Sequence, residues 1–251
     1  MADQQDFESL STELMAIGEK EIREPDMPVD EAVKENEIMS AAAKRDQNVF
    51  DAINLDPGLI EKCAMAGGAL RYTQAKLTAA IGEVKEAAAL WTAEEPKGYA
   101  TRKELLAALA YATRNVPDAQ KAVRAVRKGA GGADMVMDLG ALVQLGKKYR
   151  APLEAIKFNM GLIDEAEDLA NRLGKLYASA FIEKGSKEAK MLRDRAFTYM
   201  RRVMGELLDA AEYVFRNEPE KLEPYYSSYR NRKRASSNTE EKPEAAELAV
   251  A

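Results

Sequence analysis

The sequence predicts an all-α protein, a bundle of long antiparallel helices with coiled-coil-like packing. Charged residues make up 31% of the 251 residues and aromatic residues only 7%, and the frequent residues Ala, Leu, Glu, Lys and Arg are strong helix formers. Apolar residues recur every three or four positions along almost every segment, and none alternates with the period of two that is typical of a strand. We therefore expect no β-sheet.

Residues 1–55 are predicted to form an acidic helical arm. A helix over 7–22 should end before Pro25 and Pro28, which form a hinge, and a second helix over 30–53 has a weaker apolar stripe. Residues 1–40 contain twelve Asp and Glu against three Lys and Arg, whereas 102–150 contain four against ten. We therefore expect the arm to dock over the basic segment, in the same subunit or a neighbouring one.

Residues 56–150 are predicted to be a first helical half that ends in short basic helices. A long helix should begin at Asp56 and Pro57, an N-cap followed by proline in the first turn, and end near residue 94, before Pro96. Its large apolar residues recur every seven positions, with a companion row of small residues. The large row is Cys63, Leu70, Leu77, Val84 and Trp91, and the small row is Ala66, Thr73, Ala80 and Ala87. Close approach of a neighbouring helix would also explain Gly67, Gly68 and Gly82.

Residues 151–222 are predicted to form a long helical hairpin, and 223–251 a disordered charged tail. One helix should run from Pro152 to a turn at Gly185 and Ser186, and its partner from there to Arg216. The tail lacks an apolar stripe and mixes basic with acidic residues, which is typical of solvated segments.

An internal echo suggests two related helical halves. Residues 104–117 align without gaps to 206–219, with eight identities in fourteen positions. The shared end is a helix stop: Arg114 and Arg216 suit the negative end of a helix, Asn115 and Asn217 tolerate the left-handed cap, and a proline follows two residues later.

The stretch from Tyr111 to Leu145 carries an Arg-Asn-x-Pro-Asp stop, the basic helix KAVRAVRKG and the segment GGADMVMDLGALVQLG. It is similar to segments of uncharacterised all-helical bacterial proteins. The resemblance covers about a seventh of the chain. It implies a bacterial origin and a helical bundle, and it implies no activity or functional residue.

Several classes of function are disfavoured by composition. The chain has no histidine, which removes serine and cysteine triads and most zinc sites, and its single cysteine, Cys63, fits a small buried hydrophobe. No phosphate-binding glycine loop is present. The acidic residues Asp164, Glu165, Glu167 and Asp168 are best interpreted as an exposed helix face. We expect no enzyme activity, cofactor or metal, and we expect a cytoplasmic protein without a membrane span.

Two basic clusters are candidate contacts for a polyanion or a partner. The first lies on one short helix at spacings of three or four, and the second follows three tyrosines in the tail, as in some nucleic-acid-binding segments. The residues are Lys121, Arg124, Arg127 and Lys128 in the first cluster and Arg230, Arg232, Lys233 and Arg234 in the second.

These observations favour a non-enzymatic structural or adaptor protein that self-assembles or binds protein partners through apolar helix faces. The first alternative is a nucleic-acid-associated protein that uses the basic middle segment and the tail, although the net charge of −5 disfavours broad binding to polyanions. The second is a membrane-active helical hairpin, which would need a strongly apolar tip that neither predicted turn supplies.

Overall fold

The computed structural model describes residues 2–126, 131–181 and 184–240. Within these ranges the regular structure is entirely helical, with long helices packed against one another, and no strand occurs. The all-α prediction is confirmed. None of the helices in this part of the chain combines the length and the apolar composition needed to cross a membrane.

The helices are numbered in chain order. They are α1 (Ala2–Ser9), α2 (Ser11–Ala16), α3 (Val29–Arg45), α4 (Gln47–Asp51), α5 (Pro57–Ala112), α6 (Pro117–Val126), α7 (Gly132–Lys148), α8 (Arg150–Ala155), α9 (Gly161–Phe181), α10 (Lys184–Val214) and α11 (Ser228–Glu240). Short 3-10 helices lie at Glu19–Glu21 and Pro219–Tyr225.

The chain divides into two compact units, which differ from the predicted halves. Unit 1 comprises Met1–Thr78 and Lys187–Ala251, and unit 2 comprises Ala79–Ser186. The predicted hairpin is therefore split, because α9 belongs to unit 2 and nearly all of α10 to unit 1. The two helices are separated because the apolar row of α10 packs into the core of unit 1, whereas that of α9 packs into the core of unit 2.

The core of unit 1 is built on the apolar row of α10, which packs with α3 and the first part of α5. Five apolar residues of α10 are buried in this core: Ala196, Met200, Val203, Leu207 and Ala211. Three rings close one end of this core. Phe50, Phe215 and Tyr225 pack pairwise with centroid distances of 6.1 to 6.3 Å, which anchors the segment after α10.

The core of unit 2 forms where α7 packs on α9 and on the end of α5. Its fully buried residues include Leu105, Leu109, Leu139, Leu142, Leu153 and Leu173. The helix predicted to begin at Pro152 is interrupted at Lys157, whose φ is 60°. Helix α9 begins afterwards, where the Asn159 side chain accepts a hydrogen bond of 3.1 Å from the backbone N–H of Gly161.

Helix α5 confirms the heptad pattern and corrects its predicted end. Cys63, Leu70, Leu77 and Trp91 are buried and Val84 is half-buried, but the helix continues through Pro96 to residue 112. A proline inside a helix costs about 3 kcal/mol. Burial of Trp91 before it and of Leu105 after it, both in the core of unit 2, offsets this cost.

Gly67 and Gly82 provide a matched test of the packing on α5. A Cβ at Gly67 would overlap the side-chain oxygen of Asn36, whereas a Cβ at Gly82 would meet nothing within 4 Å. We expect Gly67→Ala to lower the free energy of unfolding by about 1–3 kcal/mol through overpacking. Gly82→Ala should raise it by about 0.5–1 kcal/mol.

Chemical denaturation followed by circular dichroism measures both changes. Equal effects of the two substitutions would contradict the close approach of α3 to α5 at Gly67. The close approach of a neighbouring helix therefore explains Gly67. It does not explain Gly82, whose surroundings are open.

Cys63 is fully buried under α3. The Asn36 amide donates hydrogen bonds of 3.0 Å to the Cys63 carbonyl and 3.3 Å to its sulfur, and burial raises the pKa of the thiol to about 12. We expect the native protein to resist alkylation by iodoacetamide near neutral pH, because the reactive thiolate is scarce and shielded. Mass spectrometry should show complete labelling in denaturant, and rapid labelling of the native protein would contradict this burial.

The two echoed helix stops have matching structures. Helix α5 ends at Ala112 and α10 at Val214, the equivalent position. Arg114 donates a hydrogen bond of 3.0 Å to the Tyr111 carbonyl, and Arg216 one of 2.8 Å to that of Tyr213. The left-handed caps predicted at the asparagines are wrong, since neither has a positive φ. The arginines satisfy the terminal carbonyls instead.

The predicted tail begins in ordered structure. Tyr225 is buried, and residues 228–240 form α11 instead of a disordered segment. The reason is tertiary: α11 starts against the buried carboxylate of Glu35 in α3, which accepts a hydrogen bond of 2.8 Å from the Tyr229 backbone N–H. Residues 241–251 lie outside the described part of the chain.

Candidate functional site: a cationic cleft

The first predicted basic cluster is only partly described. Lys121 and Arg124 lie exposed on α6 in unit 2, and the Arg124 side chain donates a hydrogen bond of 3.2 Å to the Gln120 carbonyl. Arg127 and Lys128 lie outside the described residues. These positions give α6 an exposed basic surface.

The second predicted cluster lies on α11 in unit 1 and faces the N-terminal arm. Arg230 pairs with Asp26 at 2.6 Å, and Arg232 pairs with Glu31 at 3.0 Å. Lys233 is exposed. The basic residues are therefore partly neutralised by the arm.

Within unit 1 the acidic arm docks on cations that the sequence did not single out as its partners. Its carboxylates pair with basic residues of α5, α10 and α11. The pairs are Asp3 with Arg71 at 3.1 Å, Glu13 with Lys62 at 3.9 Å, Glu21 with Arg202 at 3.4 Å, and Glu24 with Lys190 at 2.6 Å. The hinge predicted at Pro25 and Pro28 is also packed against unit 1, since Met27, which lies between them, is buried in its core.

A cleft of about 560 Å³ opens between α10, α11 and residues 19–27 of the arm, which we call the strap. Thr198 ties the strap to α10, because its hydroxyl accepts a hydrogen bond of 2.9 Å from the Arg23 backbone N–H. The charged residues that line the cleft are Lys20, Arg23, Arg201, Arg202 and Arg230, with Glu21, Glu24 and Asp26. Five cations against three carboxylates leave the lining positive.

Arg201 lies at the centre of this arrangement. It lines the cleft and also a smaller cavity of about 210 Å³ beside α11, which Arg230 and Arg234 share. The guanidinium is half-buried and, among the described residues, has no hydrogen-bond or ion-pair partner. Burial, followed by repulsion from Arg230, lowers the pKa of Arg201 despite the opposing influence of Asp26 and Glu35.

The sequence reasoning missed Arg201, yet a signal was present. Phe197, Arg201, Met204 and Leu208 form a second row along α10 at spacings of three and four. The other three members pack into the core of unit 1. A cation within an otherwise apolar row is the pattern that marks an arginine held at the edge of a core, and only Arg230 of this cleft belonged to a predicted cluster.

Glu35 positions α11 beside the cleft. This residue of α3 is 6% exposed, and its Oε1 accepts hydrogen bonds from the hydroxyls of Ser227 and Ser228 at 3.0 and 3.4 Å and from the Tyr229 N–H. A carboxylate at a helix N-terminus satisfies free backbone donors and suits the positive end of the helix. Glu35 thereby fixes where Arg230 lies.

The carboxylate cluster of α9 lies mostly on an exposed face, where Glu167 pairs with Lys147 at 2.7 Å. Over residues 2–126, 131–181 and 184–240, no group of three or more Asp, Glu or Cys residues is placed to hold a metal ion.

Comparisons with known proteins returned no relative: no family model, no curated protein and no solved structure matches the chain. The arrangement of side chains is therefore the basis for a functional proposal.

Proposed function

We propose that this protein is a non-enzymatic helical adaptor, which acts in the cytoplasm through contacts with protein partners, including further copies of itself. The observation that carries the proposal is a pair of exposed tyrosines, one in each unit, at the two matching helix stops. Tyr111 is 58% exposed and Tyr213 is 60% exposed. Tyrosine is enriched at protein interfaces because its ring supplies apolar contact area and its hydroxyl a polar group, so these two exposed rings favour a role in recognition.

Each tyrosine is held by an arginine that stacks on it. The guanidinium carbon of Arg114 lies 4.6 Å from the centre of the Tyr111 ring, and that of Arg216 lies 5.1 Å from the Tyr213 ring. Both arginines also bond to the backbone of their tyrosine, so each pair is a rigid platform that loses little conformational freedom on binding. Tyrosine and arginine are enriched among the residues that dominate protein interfaces.

The proposal is tested by replacing both tyrosines with alanine and measuring mass by sedimentation velocity across a wide range of protein concentrations. We expect the wild-type chain to sediment above its monomer mass of 27.7 kDa, and the double variant to shift towards the monomer. Because both side chains are exposed, the melting temperature should change little.

Tyr99→Ala is the matched control, since Tyr99 is 39% exposed and has no stacked arginine among the described residues. It should leave the mass unchanged. The proposal fails if the wild-type chain is oligomeric and the double variant keeps its mass. It also fails if the wild-type chain is monomeric throughout and both chains capture the same proteins in a pulldown.

A further inference from the structure

We propose that the cationic cleft of unit 1 binds a small oxyanion that carries one or more phosphate groups, with Arg201 as its central contact. This site is separate from the tyrosine platforms and goes beyond the adaptor role. The cleft volume of about 560 Å³ lies within the range typical of small-molecule sites.

The charge balance of the lining favours an anion. Asp26 is engaged by Arg230 at 2.6 Å, and Glu24 makes its short contact of 2.6 Å with Lys190, which does not line the cleft. Glu21 is the carboxylate opposite Arg202. Arg201 therefore contributes positive charge that none of these pairs neutralises.

The half-buried guanidinium of Arg201, unpaired among the described residues, also favours an anionic ligand. A half-buried guanidinium without a partner is held at a cost, because it has lost part of its hydration and gained no ion pair. Arg230 adds repulsion. A bound oxyanion would remove both penalties, since the planar guanidinium offers several N–H donors in a fork that matches two oxygens of one phosphate.

The lining indicates the class of ligand. Phe197 is the aromatic residue of the lining, and at 3% exposure its ring cannot stack on a nucleic-acid base. Three carboxylates of the strap also line the cleft, and they would repel the successive phosphates of a long polyanion. We therefore assign a small ligand and not a polynucleotide.

The strap competes with the ligand in this arrangement. Glu21 lines the cleft and its Oε1 lies 3.4 Å from the Arg202 guanidinium, where a phosphate oxygen would otherwise bind. Glu21 also caps the 3-10 helix, because its Oε2 accepts a hydrogen bond of 3.1 Å from the Gly18 N–H. Glu21→Gln keeps an acceptor for that bond and removes the charge, so it should strengthen binding of the anion.

Isothermal titration calorimetry with sodium tripolyphosphate at constant ionic strength tests the site in the full-length chain. We expect one ion per chain, and we expect Arg201→Met to weaken binding by roughly tenfold or more. The affinity of Arg201→Lys should lie between those of the wild type and Arg201→Met, because lysine keeps the positive charge but lacks the planar, forked set of N–H donors. Glu21→Gln should bind a few-fold more tightly.

Two controls make the result specific. Arg150→Met removes an exposed arginine of unit 2 that pairs with Glu154 at 2.8 Å, and it should bind as the wild type does. The Arg201→Met variant should melt at the same or a higher temperature than the wild type, which separates loss of binding from loss of folding. The variant that lacks Tyr111 and Tyr213 should also bind normally, so this proposal can fail or hold independently of the adaptor role.

The proposal is overturned if Arg201→Met binds tripolyphosphate as tightly as the wild type, or if Arg150→Met loses as much affinity. Binding of several ions per chain would show a diffuse surface effect instead of a site. Arg201-dependent binding of single-stranded DNA without binding of tripolyphosphate would refute the assignment of a small ligand.

Discussion

Replacing Tyr225 with alanine is expected to lower the free energy of unfolding by about 3–5 kcal/mol, the usual loss for a buried aromatic side chain. Tyr225 is 1% exposed and packs on Phe50 and Phe215, so its removal leaves a cavity between two rings. Urea denaturation followed by circular dichroism measures the loss. A change below about 1 kcal/mol would contradict the role of the three-ring cluster.

Tyr225→Phe is the matched variant, because it keeps the ring and removes the hydroxyl that donates a hydrogen bond of 3.0 Å to Asp46. It should cost about 1 kcal/mol. Asp46 would retain its pair with Arg45, whose guanidinium lies 2.8 Å away. A loss as large as that of the alanine variant would mean that the hydrogen bond, and not the packing, is the main contribution.

We also expect the free energy of unfolding of the wild-type protein and of Tyr225→Phe to differ in its dependence on pH. Burial, followed by the bond to Asp46, raises the pKa of Tyr225 above its ordinary value of about 10. A raised pKa means that the folded chain holds this proton more tightly than the unfolded chain. The stabilisation is therefore complete below about pH 10 and is lost as the pH rises further. The phenylalanine variant should lose less stability over that alkaline range.

Glu35→Ala is expected to lower the free energy of unfolding by about 2–3 kcal/mol and to release α11. The substitution removes the acceptor shared by two serine hydroxyls and the Tyr229 N–H. Without it, the N-terminus of α11 loses its only carboxylate cap among the described residues. Trypsin should then cut rapidly at the basic residues of the helix, while the wild-type chain is protected there.

Glu37→Ala is the control for this experiment, since Glu37 lies on the same helix but its side chain is 57% exposed. It should cost less than about 1 kcal/mol and leave α11 protected. Glu35→Gln keeps one acceptor, so its loss of unfolding free energy should lie between those of Glu37→Ala and Glu35→Ala. Equal protease sensitivity of the wild-type and Glu35→Ala proteins would contradict the role of Glu35.

Helix α5 illustrates how far a local pattern reaches. The seven-residue recurrence correctly identified the face that carries Cys63, Leu70 and Trp91, because an apolar row at this spacing can only be buried along one side of a helix. The end predicted at Pro96 was wrong. Proline disfavours helix by a few kcal/mol locally, and the burial of side chains far along the chain outweighed that cost.

The cleft shows what a local sequence pattern could not predict. Arg230 was predicted as a contact because it belongs to a basic run, whereas Arg201 stands in an apolar row and shares its cleft with strap residues from the other end of the chain. Whether a basic residue is solvated, paired or left half-buried depends on which carboxylates the fold brings to it. Asp26 neutralises Arg230, and no carboxylate among the described residues makes an ion pair with Arg201.

The sequence by itself determined the helical class, the buried face of α5 and the two helix stops, because these depend on residue propensities and on contacts within a few turns. Only the tertiary structure decided the division into two units, the order of α11 and the position of Arg201. Each of these depends on pairing between distant segments, such as Glu35 with the start of α11. The free energy of such pairing comes from burial and from satisfied polar groups, which no single stretch of sequence contains.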